Sequence, residues 1–159
     1  MLHVNIVCVG KVKESFFRDA IQEYQKRLSR YCSLNIIEVP DEKIPDNSSD
    51  KLDEAIKTKE GENIISHLVP NSYNIALDLS GKELDSIGLS DYINNLSISN
   101  SSITFIIGGS LGLSKEVLNK CDYKLSFSKL TFPHQLIRIF LLEQIYRSFK
   151  IINNEKYHK

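Results

Sequence analysis

The chain has no tryptophan, one methionine and only three cysteines in 159 residues. Cys8, Cys32 and Cys121 are odd in number and show no C-x-x-C spacing, which argues against a disulfide framework and against a zinc site. Cys8 lies in an apolar run and reads as a small core residue. Neither sign of charge is in excess: 20 basic and 20 acidic residues cancel to a formal charge of zero. A protein that holds nucleic acid by bulk phosphate attraction usually carries a basic surplus. An RNA partner would therefore have to be held by a local basic patch, a groove between two copies, or shape. No apolar run approaches the ~20 residues of a membrane helix. The opening Met1-Leu2-His3-Val4-Asn5 has no basic n-region and no cleavage pattern, so the protein is expected in the cytoplasm, with no membrane and no metal.

What is present is an alternation of strand and helix patterns without an internal repeat or a low-complexity tract. Leu2 to Val9 reads as a buried strand, followed by a loop at Gly10 to Lys13. Phe17, Ala20, Ile21, Tyr24, Leu28 and Tyr31 recur at helical spacing, which predicts an amphipathic helix from Ser15 to Arg30. Its other face carries Arg18, Lys26, Arg27 and Arg30; with Lys11 and Lys13 this is either a solvated face or an RNA contact surface. Leu34 to Val39 is a second strand, and Pro40 to Ser49 is the most loop-like segment.

A helix is expected from Asp50 to His67, capped at Ser48 or Ser49, with Leu52, Ala55, Ile56, Ile64, Ile65 and Leu68 inward and Gly61 weakening its middle. Tyr73 to Leu79 is a third strand, ending before Ser80-Gly81-Lys82; Ile87 to Leu96 a short helix; Ile103 to Ile107 a fourth strand. The pattern implies an α/β domain with a mostly parallel sheet, helices on both faces, and ligands beyond the carboxyl ends of the strands.

The stretch from Ile103 to Ile152 organises the rest. Its strand empties into Gly108-Gly109-Ser110-Leu111-Gly112-Leu113-Ser114, and Tyr123 to Phe132 reads as a short strand and a second loop before Pro133 opens a long helix. Three glycines in five positions either let main-chain groups approach a flat ligand or build a tight strand-to-helix turn with no ligand. The nicotinamide fingerprint is a poor match, since the first strand ends with Gly10 alone. His134 and Arg138, four apart at the start of the last helix, share a face. His134 has a suitable pKa for proton work, or is simply satisfied by neighbouring backbone; Arg138 can stabilise negative charge or hold phosphate.

Taken in order, I-I-G-G-S-L-G-L-S, L-S-F-S-K-L-T-F-P-H-Q-L-I-R, L-L-E-Q-I-Y-R-S-F-K and a closing Y-H-K, together with the opening V-G-K-V-K and the I-I-E-V-P-D-E-K segment, resemble the ribosomal RNA large subunit methyltransferase H family over the whole chain. Leu111 departs from the polar or acidic residue many relatives carry there. The resemblance implies a single SPOUT domain over residues 1–159, with a C-terminal trefoil knot inside a cofactor-binding part at about 73–152. It implies S-adenosylmethionine-dependent methylation of N3 of a pseudouridine in 23S rRNA, within the ribosome, by a homodimer.

Residue by residue, it assigns Leu77, Gly108 and the run Phe127, Ser128, Lys129, Leu130, Thr131, Phe132 to the cofactor, with Gly109 and Gly112 completing the glycine loop. It assigns Tyr157, His158 and Lys159 to the active site, where His134 and Arg138 are the candidates the residues themselves offer. Tyrosine, histidine and lysine together can stack on a base, accept a proton and hold phosphate. The last helix, apolar nearly all round from Leu136 to Phe149, calls for cover on more than one side, and a second copy of the chain is the expected partner. The competing readings are a non-catalytic ribosome-binding factor and a flavodoxin-like nucleotide-binding module, both separated from the first by cofactor binding.

Overall fold

Strand β1 (Leu2–Val9) is buried from Val4 to Val9, as its largely apolar sequence suits a central parallel strand, and the one polar side chain inside, Asn5, donates to Ser102 and Thr104. In the computed structural model, which describes residues 1–159, it pairs with β2 (Cys32–Val39) on one side and β4 (Ser102–Ile107) on the other. Beyond β4 lie β3 (Tyr73–Glu83) and then β5 (Tyr123–Ser126), giving the order β2-β1-β4-β3-β5 with every neighbouring pair parallel. The expected sheet is thus present, and it is wholly parallel.

The two-residue alternation of strand side chains divides the core into two layers. Val4, Ile6 and Cys8 of β1 and Ile103, Phe105 and Ile107 of β4 meet α1 (Ser15–Leu28), α3 (Ser86–Ser99) and α5 (His134–Ile152). Val7, Val9, Val39, Ala76 and Ile106 face the other way, onto α2 (Asp50–Ser66) and the short α4 (Lys115–Asn119). Burial pushes the Cys8 thiol up to about 11, so it is a packing residue rather than a nucleophile. No helix is long and apolar enough to cross a membrane.

Several boundaries differ from the sequence expectation, each for a local reason. β3 does not stop at Leu79. After a register shift between Leu77 and Lys82 it pairs again with β5, Lys82 opposite Leu125 and Glu83 opposite Ser126. Gly81, read as a turn signal, makes this possible: a Cβ there would stand 2.7 Å from the Lys124 carbonyl carbon. α4 was hidden in the tail of the glycine-rich segment, where Ser114 accepts from the Val117 N–H at 3.3 Å and caps it. Ser49 is the cap of α2, accepting from Leu52 N–H. Leu52 and Ala55, expected inward, are exposed, because α2 packs on α4 through Glu60, Gly61 and Ile64 instead.

Gly61 is therefore a packing residue and not merely a weak point. An added Cβ would lie 2.4 Å from Ser114 Oγ and 3.1 Å from Val117 Cγ2. Gly61→Ala gains about 1 kcal/mol of helix propensity, yet overpacking costs about 1–3 kcal/mol. The expected outcome of chemical denaturation is a lower midpoint for the alanine variant; a higher midpoint would mean that the α2–α4 contact gives way freely.

Candidate functional site

Beyond the carboxyl ends of β4 and β5, and beside the irregular stretch of β3 after Leu77, lies a cleft of about 680 Å³. Register brings its walls to one level: Leu77 stands opposite Leu125, and the neighbouring pair Ala76 and Ile106 places Ile107 and Gly108 beside them. The glycine loop closes on itself, with Gly112 N–H donating to Gly109 C=O at 3.0 Å. Gly112 has φ +84°, a left-handed conformation that a side chain would strain. A Cβ on Gly108 would stand 2.8 Å from the carbonyl carbon and oxygen of Gly112. Of the two readings of these glycines, the tight turn is real, since the loop leads into α4. Its outer surface also lines the cleft.

The opposite wall is the 127–132 loop, braced by Ser126 Oγ donating to Ser128 C=O and by Leu130 N–H donating to Ser128 Oγ, both at 3.0 Å. Leu130 is 69% exposed on the rim, an apolar side chain with nothing above it. Of the ten residues expected around a cofactor, Leu77, Gly108, Gly109, Gly112, Phe127, Ser128, Leu130, Thr131 and Phe132 line the cleft; Lys129 is exposed and points elsewhere. Unanticipated lining residues include Asp78, Ile137 and Lys57. Asp78 sits in the irregular stretch of β3 that follows Leu77, where its carboxylate can accept from hydroxyl groups. Nothing in the sequence placed Lys57, which reaches over from α2 and pairs with Glu54 at 3.0 Å.

His134 and Arg138 do share a face, but differ in access. His134 lines the cleft. Burial, then the nearby Arg138 cation, hold its pKa below the ordinary 6.5 against an opposing pull from Asp41. Arg138 is 1% exposed and does not line the cleft. Its guanidinium donates to Glu38 Oε2 at 2.7 Å and to the carbonyls of Gly10 and Val9 at 3.2 and 3.4 Å, leaving only Nε without a partner. A guanidinium so placed acts on the site through its neighbours rather than by touching a ligand.

The His134 imidazole should thus be neutral at pH 7. We expect its titration, followed by NMR, below 6.5 in the folded protein. Because the folded pKa is depressed, the imidazole's contribution to stability is present above about 6.5 and is lost as pH falls through the folded value. A titration at or above 6.5 would contradict the placement.

Glu60, which the sequence did not single out, is 4% exposed behind the glycine loop. It accepts the Glu42 N–H at 3.0 Å and stands where a Cβ on Gly109 would approach it to 3.1 Å. Burial raises its carboxyl above the ordinary range, partly offset by that N–H. It ties the 40–49 loop to the back of the cleft.

The tail folds back against the middle of α5. Tyr157 donates to Glu143 Oε1 at 3.1 Å, sets its ring edge-on to Tyr146 and lies under the Arg147 guanidinium. Arg147 also donates to Glu143 at 2.7 Å and meets His158 Nδ1 at 3.1 Å. Burial, then the Glu143 hydrogen bond, raise the Tyr157 pKa. Glu143, which holds Tyr157, lies about 14 Å along the helix from His134, and within one chain Tyr157, His158 and Lys159 do not line the cleft. A groove of about 670 Å³ does lead from it along α5, sharing Leu125, Phe127 and Phe132 and passing exposed Phe140 to Glu143.

A family model described as "Predicted SPOUT methyltransferase" matches residues 2–158. The chain is 57% identical over 159 residues to Ribosomal RNA large subunit methyltransferase H of Clostridium beijerinckii, with 99% of this chain and 100% of that protein covered. The corresponding protein of Clostridium botulinum is 58% identical and that of Clostridium tetani 57%, each with 99% of this chain and 100% of the relative covered.

Proposed function

The chain belongs to the SPOUT methyltransferase family, and from that premise we propose that it methylates N3 of a pseudouridine in 23S ribosomal RNA, with S-adenosylmethionine as donor. The observation that carries the reading is the coincidence of the cleft with the assigned residues: all but Lys129 of the ten stand around one space at the strand ends. The residues fit the donor. Leu77, Leu125 and Ile137 offer apolar walls for a purine, the folded-back glycine loop presents main chain, and Asp78 offers an acceptor for hydroxyl or ammonium groups. The reading includes one domain over residues 1–159, a trefoil thread within about 73–152, and work in the cytoplasm, where ribosomes are.

When bound, the donor supplies a sulfonium methyl group open to in-line displacement. The protein must align the acceptor, exclude water and deal with a proton. N3 of the acceptor base carries a weakly acidic proton, and His134, kept neutral by burial and Arg138, is suited to accept it. The 127–132 loop walls the cleft on one side, and Leu130, exposed on its rim, is placed to exclude water once a ligand fills the space.

Tyr157, His158 and Lys159 are proposed to act from a second copy. The apolar groove beside Phe140 is the surface for that copy, and the Glu143–Arg147 pair of the same helix holds Tyr157 and His158 against it. Each copy would then lend its tail to the partner's cleft.

The test is transfer of labelled methyl groups to ribosomes that lack the modification, with mass spectrometry of the rRNA. One methyl group on a pseudouridine N3 is expected. Absence of transfer by folded protein, with ribosomes and S-adenosylmethionine both supplied, would overturn the reading.

A further inference from the structure

The turn after β1 is held with unusual care for an exposed loop. Arg138 grips the carbonyls of Val9 and Gly10, and Glu38 Oε2 both receives Arg138 at 2.7 Å and accepts the N–H of Val12 at 3.1 Å. Val12 is buried in the core, while Lys11 and Lys13 on either side are exposed. Gly10, at φ +91°, turns its open side to His134: a Cβ there would lie 3.7 Å from Nε2. A rigid turn beside the cleft therefore presents two ammonium groups to solvent.

Of the cations on this side of the molecule, three are held by carboxylates, while Lys129 on the 127–132 loop is not. Lys57 pairs with Glu54, Lys59 with Glu42, and Arg138 with Glu38. Lys11 and Lys13 take part in no ion pair or side-chain hydrogen bond. With a net charge of zero, the chain has no bulk attraction to draw a polyanion. Local, pre-positioned cations are what such a protein has to offer, and Asp41 on the His134 side of Gly10 would turn a phosphate toward the lysine side.

We propose that the Gly10–Lys13 turn is a phosphate-binding element for the RNA substrate, with Lys11 and Lys13 contacting the backbone beside the target nucleotide and Arg138 and Glu38 as its positioning residues. The inference rests on the proposed function for its RNA substrate. It gives Arg138 a part in the reaction without contact to any ligand. Because phosphate contacts fix register and carry no sequence information, they should add affinity equally to substrate and transition state.

The experiment measures methyl transfer and ribosome binding across a series of salt concentrations for wild type, a Lys11→Ala/Lys13→Ala double variant, Glu38→Gln, and, as a control, Lys120→Ala, an exposed lysine beside Asn74 at the amino end of β3. The double variant is expected to raise KM for ribosomes on the order of tenfold, with the loss in KM rather than kcat. It should also flatten the log–log salt slope of binding by about 2, one per lost phosphate contact. Glu38→Gln keeps an acceptor for the Val12 N–H but loses the charge that holds Arg138, so it should raise KM and flatten the slope by a smaller amount while both lysines remain. Lys120→Ala should keep the wild-type slope.

If wild type transfers methyl groups and the double variant shares its KM and slope, the phosphate element is overturned while the methyltransferase reading stands. A wild-type slope in Glu38→Gln would overturn the positioning role. If wild type itself transfers nothing, it is the functional reading that has failed.

Discussion

Replacing Gly108 by valine is expected to lower affinity for S-adenosylmethionine by at least about a hundredfold, because a branched Cβ cannot be absorbed against fixed main chain. The obstacle differs from the one glycine spacing suggests. A side chain at 108 would first strike the Gly112 carbonyl, 2.8 Å away, and the Leu113 side chain at 3.0 Å. The loop would have to open, and the main-chain surface it presents to the cleft would be lost with it. Calorimetry with S-adenosylmethionine reads the effect, with circular dichroism to show that the variant folds. Wild-type affinity in a folded Gly108→Val protein would mean that the cofactor does not depend on this loop.

Removing Tyr157, His158 and Lys159 should have the opposite profile: cofactor affinity nearly unchanged and methyl transfer down by on the order of a hundredfold or more, the scale of losing acid–base or charge-stabilising groups. None of the three lines the cleft, so the truncation leaves the cofactor walls intact. The fold loses the Tyr157 ring contact with Tyr146 and its hydrogen bond to Glu143, together worth about 1–2 kcal/mol. Labelled methyl transfer, measured beside calorimetry, separates the two effects. Full activity after truncation would return the chemistry to His134 alone.

The parallel sheet and the helices were legible because their signals are local: largely apolar strands, helical spacing in Phe17 to Tyr31, and Pro133 at the start of α5. The cleft was legible through resemblance, and strand register then explains why Leu77, Gly108 and Phe127 come together. What sequence could not supply is pairing across distance. Arg138 looks like a free cation until Glu38, 100 positions away, is seen beside it. Gly61 looks like a flaw until Ser114 occupies the missing side chain's place, and Gly81 looks like a turn until Lys124 lies against it. Glu60 reads as a solvated helix carboxylate, yet it faces Gly109 and the Glu42 N–H. The tail is a further case, since its neighbours Glu143 and Arg147 lie on a helix the sequence defines well, while its distance from His134 follows only from that helix's length.

The central claim, a cleft from one copy completed by the tail of another, is tested most directly by mixing two inactive proteins. Gly108→Val keeps its tail and lacks a working cleft; the chain without residues 157–159 keeps its cleft and lacks a tail. After the two are unfolded and refolded together, mixed dimers contain one intact cleft facing one intact tail. Methyl transfer to ribosomes should reappear at about a quarter of the wild-type rate per subunit, the share that random pairing in a two-fold dimer allows. A mixture as inactive as its two components, with mixed dimers present, would contradict the account and confine each active site to a single chain.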